Sequence, residues 1–269
     1  MAKSDVKIYL SDAGRARKRK RMRYAYLTVL LIAYSAILIF CLLSFRTGLF
    51  RAKSVEVTGN REVSSENVMT ILEAQVFGGS SVKYALGFRN YLIWPDNLKD
   101  PGKFLPQIKS ISIKKHYWGK KIEARVVERS PCGTWCMGAE APDCFWFDED
   151  GYIFKRGIPS EGNIIKSVND LSGRKLGLGN TVLHNNFFLN LKSAFEVLEK
   201  SGIGVRTIEL KDLSLEEVIA KTSEGPLVYF SLRFSSANSL DLLKTLKEGK
   251  SFSKLQYVDL RIQNRAYYK

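Results

Sequence analysis

Hydrophobic and polar positions change their rhythm several times along this chain, and each change predicts an element. From Tyr24 to Phe45 (YAYLTVLLIAYSAILIFCLLSF) 22 residues pass without Asp, Glu, Lys, Arg, His, Pro or Gly. At a rise of ~1.5 Å per residue such a helix reaches roughly 33 Å, enough to cross the ~30 Å hydrocarbon core of a bilayer. The apolar core of a cleaved signal peptide is usually only about 7 to 15 residues and is followed by small residues at the cleavage site. Here the run is longer and leaves through Cys41-Leu-Leu-Ser-Phe-Arg46. It is expected to remain as an anchor.

Beyond the anchor the pattern becomes that of folded material. Phe50 to Gly59 alternates through Val55 and Val57 and closes on Gly59-Asn60, as a strand and a turn do. Ser64-Ser65-Glu66, followed by Val68, Ile71 and Leu72, carries a cap and a helical apolar spacing. Val82 to Trp94 is aromatic-rich, reads as helical at first, and is interrupted by the loop from Pro95 to Pro106. Ile108 to Lys114 and Lys121 to Glu128 alternate around Tyr117-Trp118-Gly119-Lys120, which predicts a hairpin. Further on, Asp148-Glu149-Asp150-Gly151 between two aromatic runs reads as a hairpin turn rather than a calcium loop, which needs oxygen ligands over twelve positions. Asn186 to Gly202 and Ser236 to Lys247 are amphipathic helices, with the strand Val205 to Leu210 and the pair Glu217 to Thr222 and Leu227 to Leu232 between them. The chain ends on Leu255 to Ile262 and Ala266 to Lys269, expected as a terminal strand pair.

Charge orients the anchor. Arg15, Arg17, Lys18, Arg19, Lys20, Arg21 and Arg23 precede it, against Arg46, Arg51 and Lys53 just after. Lys and Arg are retained on the cytoplasmic side, so residues 1–23 are expected to be a cytoplasmic tail and residues beyond about 46 to lie outside. Of the net charge of +15, the tail's nine basic and two acidic residues account for +7, leaving +8 on the remainder. Topology and anionic lipid explain the tail's cations, so no nucleic-acid partner is expected.

The four cysteines divide between the span (Cys41) and a cluster, Cys132, Cys136 and Cys144. An oxidising exterior predicts one disulfide and one remaining thiol, with three pairings open. His116 offers a fourth ligand for a Cys3His metal set, but the C-x3-C-x7-C spacing is not that of a zinc ribbon. Neither G-x-S-x-G, H-E-x-x-H nor a P-loop occurs, and Gly177-x-Gly179 lacks the third glycine of a dinucleotide loop. With His116 and His184 as the only histidines, a binding scaffold without enzymatic activity, cofactor or metal is expected.

The order strand, helix, helix, strand, strand directly after an anchor resembles a POTRA domain of the FtsQ/DivIB type. The residues that carry the resemblance are Val55-x-Val57-x-Gly59-Asn60, Val63-Ser64, Ile122 to Val127 and Glu128-Arg129-x-Pro131, together with Tyr257-Val258-Asp259-Leu260-Arg261 near the end. It implies an α+β chain in which residues 24–45 form a transmembrane helix, 50–128 a POTRA domain and 129–269 a curved antiparallel β-domain with two flanking helices. The segment Arg89 to Asp100 stands as an insertion, and the cysteine cluster is not part of the family's pattern. The resemblance further implies a division protein at the septum of the plasma (inner) membrane, linking early and late divisome proteins and controlling septal wall synthesis. Its C-terminal edge would bind FtsB/FtsL-like partners by strand addition, and its POTRA domain other division proteins. Carried over by position, the edge implicates Asp259, Arg261, Asn264 and Tyr268, while Tyr257, Arg261, Tyr267 and Tyr268 are residue types that dominate interface energetics. Two competing expectations are a membrane-anchored enzyme or metal sensor built on Cys132, Cys136, Cys144 and His116, and a translocation factor, which would want tandem POTRA units or a β-barrel.

Overall fold

The computed structural model describes residues 4–48, 50–138, 142–159, 166–249 and 252–269, with the side chains of 4–16 and 42–47, Arg15 and Phe45 among them, outside the description. A helix α1 (Ser4–Thr47) opens the chain, followed by β1 (Ser54–Thr58), α2 (Ser65–Phe77), α3 (Ser81–Leu86), β2 (Ile108–His116) and β3 (Lys121–Glu128). Then come β4 (Gly133–Met137), β5 (Asp143–Phe147), β6 (Ile153–Arg156), β7 (Lys166–Asp170), α4 (Asn185–Lys200) and β8 (Val205–Leu210). The last elements are β9 (Glu217–Thr222), β10 (Leu227–Ser231), α5 (Leu240–Glu248), β11 (Tyr257–Leu260) and β12 (Tyr267–Tyr268). The chain is therefore mixed α+β, with, among the described residues, a small sheet ordered β1-β3-β2 and a second of nine strands. By compactness it divides into two units, 1–55 with 80–94 and 115–122, and 56–79 with 95–114 and 123–269, so the expected 50–128 module is shared between them.

In the first unit, Arg17–Cys41 of α1 is long and apolar enough to cross a membrane. Every described side chain of that stretch is exposed, Leu31 and Ile32 to 67% each. From Tyr24 to Cys41 no face of this helix carries a charge, a composition compatible with lipid. Two of its hydroxyls bond within the helix, Thr28 donating to the Ala25 carbonyl at 2.8 Å and Ser35 to that of Ile32 at 2.9 Å. The helix is longer than the apolar run because the preceding Arg- and Lys-rich residues are themselves good helix formers.

In the second unit, α2 forms where the cap signal predicts it. Ser64 accepts from the Asn67 N–H at 3.2 Å, Val68, Leu72 and Val76 are fully buried, and Gly78 stops the helix in the left-handed region (φ 52°). The Glu128 carboxylate accepts the N–H groups of Arg61, Glu62 and Val63 at 2.8, 3.0 and 3.0 Å, fixing the approach to α2. Burial by itself pushes this carboxyl up, but the three backbone bonds outweigh it and hold the group below its ordinary value of 4.5. A depressed folded pKa contributes stability that is whole above about 4.5 and disappears as pH falls through the lower folded value. Glu128→Ala is accordingly expected to cost about 1–2 kcal/mol at neutral pH, a figure discounted for solvent screening, and little in acid. Urea unfolding of the two proteins from pH 7 down to strongly acidic pH, where their curves should converge, checks this.

The large sheet corrects one expectation. Its order is β12-β11-β10-β9-β8-β7-β4-β5-β6, and it is mixed rather than antiparallel, because β4/β7, β7/β8 and β10/β11 run parallel. Parallel neighbours need a crossover, and α4 supplies it between β7 and β8, α5 between β10 and β11. A single register row runs across the sheet through Phe145, Trp135, Val168, Ile208, Ala220, Val228 and Val258. All of these are buried, and with Phe188, Leu191, Leu198 and Leu243 of the two helices they form one core.

Candidate functional site

The same row ends on Tyr268, the register partner of Val258, and there burial stops, with Tyr268 56% exposed. β12 is the terminal strand of the sheet. Lys269 turns its N–H to the Tyr257 carbonyl (3.3 Å) and its carbonyl to the Gln256 N–H (2.6 Å). Alternation along an antiparallel strand then turns the N–H and C=O of Tyr268 outward, where a further strand would pair. At the other end of the sheet β6 is partly covered, since Ile153 exchanges backbone bonds with Gly179 (2.9 Å) and Asn180 (2.8 Å) and Tyr152 bridges Thr181. The two edges are therefore unlike, and β12 is the more open.

On the opposite face of the same strands, Tyr267, Asp259 and Tyr229 share a row. Arg261 donates to Asp259 through Nε (2.9 Å) and a terminal nitrogen (2.6 Å), and through the other terminal nitrogen to Glu217 (2.8 Å). Its guanidinium lies 4.9 Å from the Tyr229 ring centre, and Tyr229 meets Tyr257 edge-on at 6.3 Å. The Arg261 guanidinium holds the Asp259 carboxyl below its usual range against the opposing effect of burial, and Asp259, then Glu217, push Arg261 up. Asp259 also accepts the Arg261 N–H at 3.0 Å, a local turn that ends β11 at Leu260, short of the expected Ile262.

The expected partner-binding residues thus fall into two groups. Asp259 and Arg261 are engaged within the chain, and Tyr257 is half-buried against Tyr229. Tyr267 and Tyr268 are exposed on the edge itself. Asn264 sits in the turn between the strands with φ 59°, accepting from the Asn238 side-chain amide at 3.4 Å. Beside it opens a groove of about 410 Å³ lined by Phe234, Leu242, Leu260, Ile262 and Asn264 among others. Glu217 and Tyr229 were missed in the sequence, because Glu217 lies 44 residues from the arginine it binds and nothing local marks it.

The cysteines resolve to Cys136–Cys144, which face each other across β4 and β5, leaving Cys132 as a half-buried free thiol that burial pushes up in pKa. With two of its three sulfurs oxidised, the Cys3His set cannot present the thiolates that zinc requires. Among the described residues no group of three His, Cys, Asp or Glu is placed to hold a metal. His116 ends β2, its carbonyl accepting from the Tyr91 hydroxyl at 3.2 Å, and His184 precedes α4 without capping it through its side chain. A scan of the chain against protein-family models finds no match, and a search of curated proteins finds none either.

Proposed function

We propose that the chain is a non-enzymatic, single-span scaffold of the FtsQ/DivIB kind, acting in bacterial cell division and gripping a partner protein at the β12 edge. On this reading residues 1–23 lie in the cytoplasm, α1 crosses the plasma (inner) membrane, 50–128 form a POTRA domain, and the large sheet lies outside at the septum. The observation that carries it is the buried register row that runs out onto an exposed Tyr268, whose backbone faces outward at the end of a two-residue strand. An added strand from an FtsB/FtsL-like partner would continue both the hydrogen-bond ladder and that apolar row. The element order of residues 54–128 and the motif Glu128-Arg129-x-Pro131 support the family reading.

Tyr268→Ala is expected to weaken capture of such a partner by roughly 30-fold, the equivalent of about 2 kcal/mol at an aromatic anchor. Partner recovered after crosslinking in cells, and titration of the purified pair, report it. Unchanged affinity would remove the edge proposal, and normally spaced septa after depletion of the protein would remove the division role.

A further inference from the structure

In the first unit the turn between β2 and β3 carries Lys115-His116-Tyr117-Trp118-Gly119-Lys120-Lys121. Trp118 at its apex is fully exposed (103%) and Tyr117 is 60% exposed, with Lys120 exposed beside them. An indole is among the largest apolar surfaces a residue can bury, and folded chains usually bury most of it. Trp and Tyr among lysines match the composition that gathers at a membrane–water boundary, where rings sit at headgroup level and ammonium groups reach for phosphate.

The apex is also braced. Tyr117 packs against Tyr91 with ring centres 4.9 Å apart, and the Lys120 N–H closes the turn on the Tyr117 carbonyl at 3.3 Å. It is tethered beside the membrane as well, for the Lys120 carbonyl accepts from the Lys53 N–H at 2.5 Å. Lys53 follows the end of α1, Thr47, by six residues, which span at most ~21 Å when fully extended. The segment around Tyr91 is held to the same stretch, through Tyr91 N–H to the Phe50 carbonyl (2.9 Å) and Ala52 N–H to the Arg89 carbonyl (2.8 Å), and it leaves Leu92 65% exposed.

We infer that the β2–β3 tip rests in the headgroup layer of the leaflet from which α1 emerges, with Trp118 at the boundary of the acyl chains and Lys120 on a phospholipid phosphate. The occupant is lipid rather than protein because the tip is tied to the chain where it leaves the bilayer. This inference rests on the anchoring part of the proposed function and not on the division role. A second membrane contact beside the span would limit rotation of the first unit about α1.

The test uses the full chain in phosphatidylcholine/phosphatidylglycerol vesicles, with and without lipid brominated near the headgroup end of the acyl chains. Subtracting the emission of Trp118→Phe from that of the native protein isolates Trp118. Its emission is expected to be blue-shifted and quenched by the brominated lipid, and Lys120→Glu should reduce the quenching. A water-like, unquenched Trp118 in protein that resists alkaline carbonate extraction would overturn the inference alone. Release of the protein by carbonate would overturn the anchor, and the inference with it.

Discussion

Arg129→Ala is expected to destabilise the second unit by about 3–5 kcal/mol, the range for removing one partner of a buried ion pair. Arg129 donates to the Asp148 carboxylate, and its guanidinium lies 3.9 Å from the Tyr152 ring centre. The Asp148 side chain is only 2% exposed and the Arg129 side chain 12%, so the variant strands an anion that water reaches poorly. Asp148 also accepts the N–H groups of Asp150 and Tyr152 at 2.9 Å each, which shapes the turn between β5 and β6. Arg129→Lys should recover part of the loss, since an ammonium keeps the charge but not the planar stack. Asp148→Asn in the Arg129→Ala background should also recover part, by removing the unpaired charge. Guanidinium unfolding of the native protein and these three variants in detergent, followed by near-ultraviolet dichroism, compares their stabilities. A loss under about 1 kcal/mol, the worth of an exposed pair, would mean that Asp148 regains solvent when Arg129 is cut.

Phe188→Ala is expected to cost a similar 3–5 kcal/mol, for a different reason. The ring is 1% exposed, stands edge-on to Phe147 at 5.8 Å, and Phe147 in turn stands edge-on to Trp135 at 6.2 Å. It also lies under the hairpin turn so closely that a Cβ on Gly151 would come within 3.0 Å of it, and Gly151 needs its positive φ of 75° besides. Removing the ring leaves a cavity between α4 and that turn. Phe188→Leu should lose less, because most of the volume is kept. The midpoint in guanidinium reports both, and a shift confined to the range of surface substitutions, within about 0.5 kcal/mol, would place Phe188 outside the core.

These two residues show how legibility varied along the chain. Phe188 lies in the helix expected from its amphipathic pattern, whose buried residues include Phe188, Leu191, Phe195 and Leu198. Arg129 stood in a motif quoted for its family resemblance, yet its partner Asp148 lies 19 residues away, in a turn whose acids had been weighed for calcium. The β2–β3 and β9–β10 hairpins were likewise visible, since both strands and the turn are contiguous. The open edge was legible as a terminal strand pair with tyrosines, but not the capture of Arg261 by Glu217, which leaves Tyr267 and Tyr268 as the exposed pair.

Local order, then, was written in the residues themselves. An uncharged run, a helical period or an alternation around a glycine turn acts over a few residues, so α1, α2, α4 and the hairpins follow from neighbours in the chain. The tertiary structure alone decided that β7 runs parallel to β4 and β8 and that β11 runs parallel to β10, that Cys136 joins Cys144, and that Glu128 and Arg129 hold distant backbone and side-chain partners. A period of two reads the same in parallel and antiparallel strands, and a charge does not name its partner. Those choices belong to the packing of faces that meet only when the whole sheet is assembled.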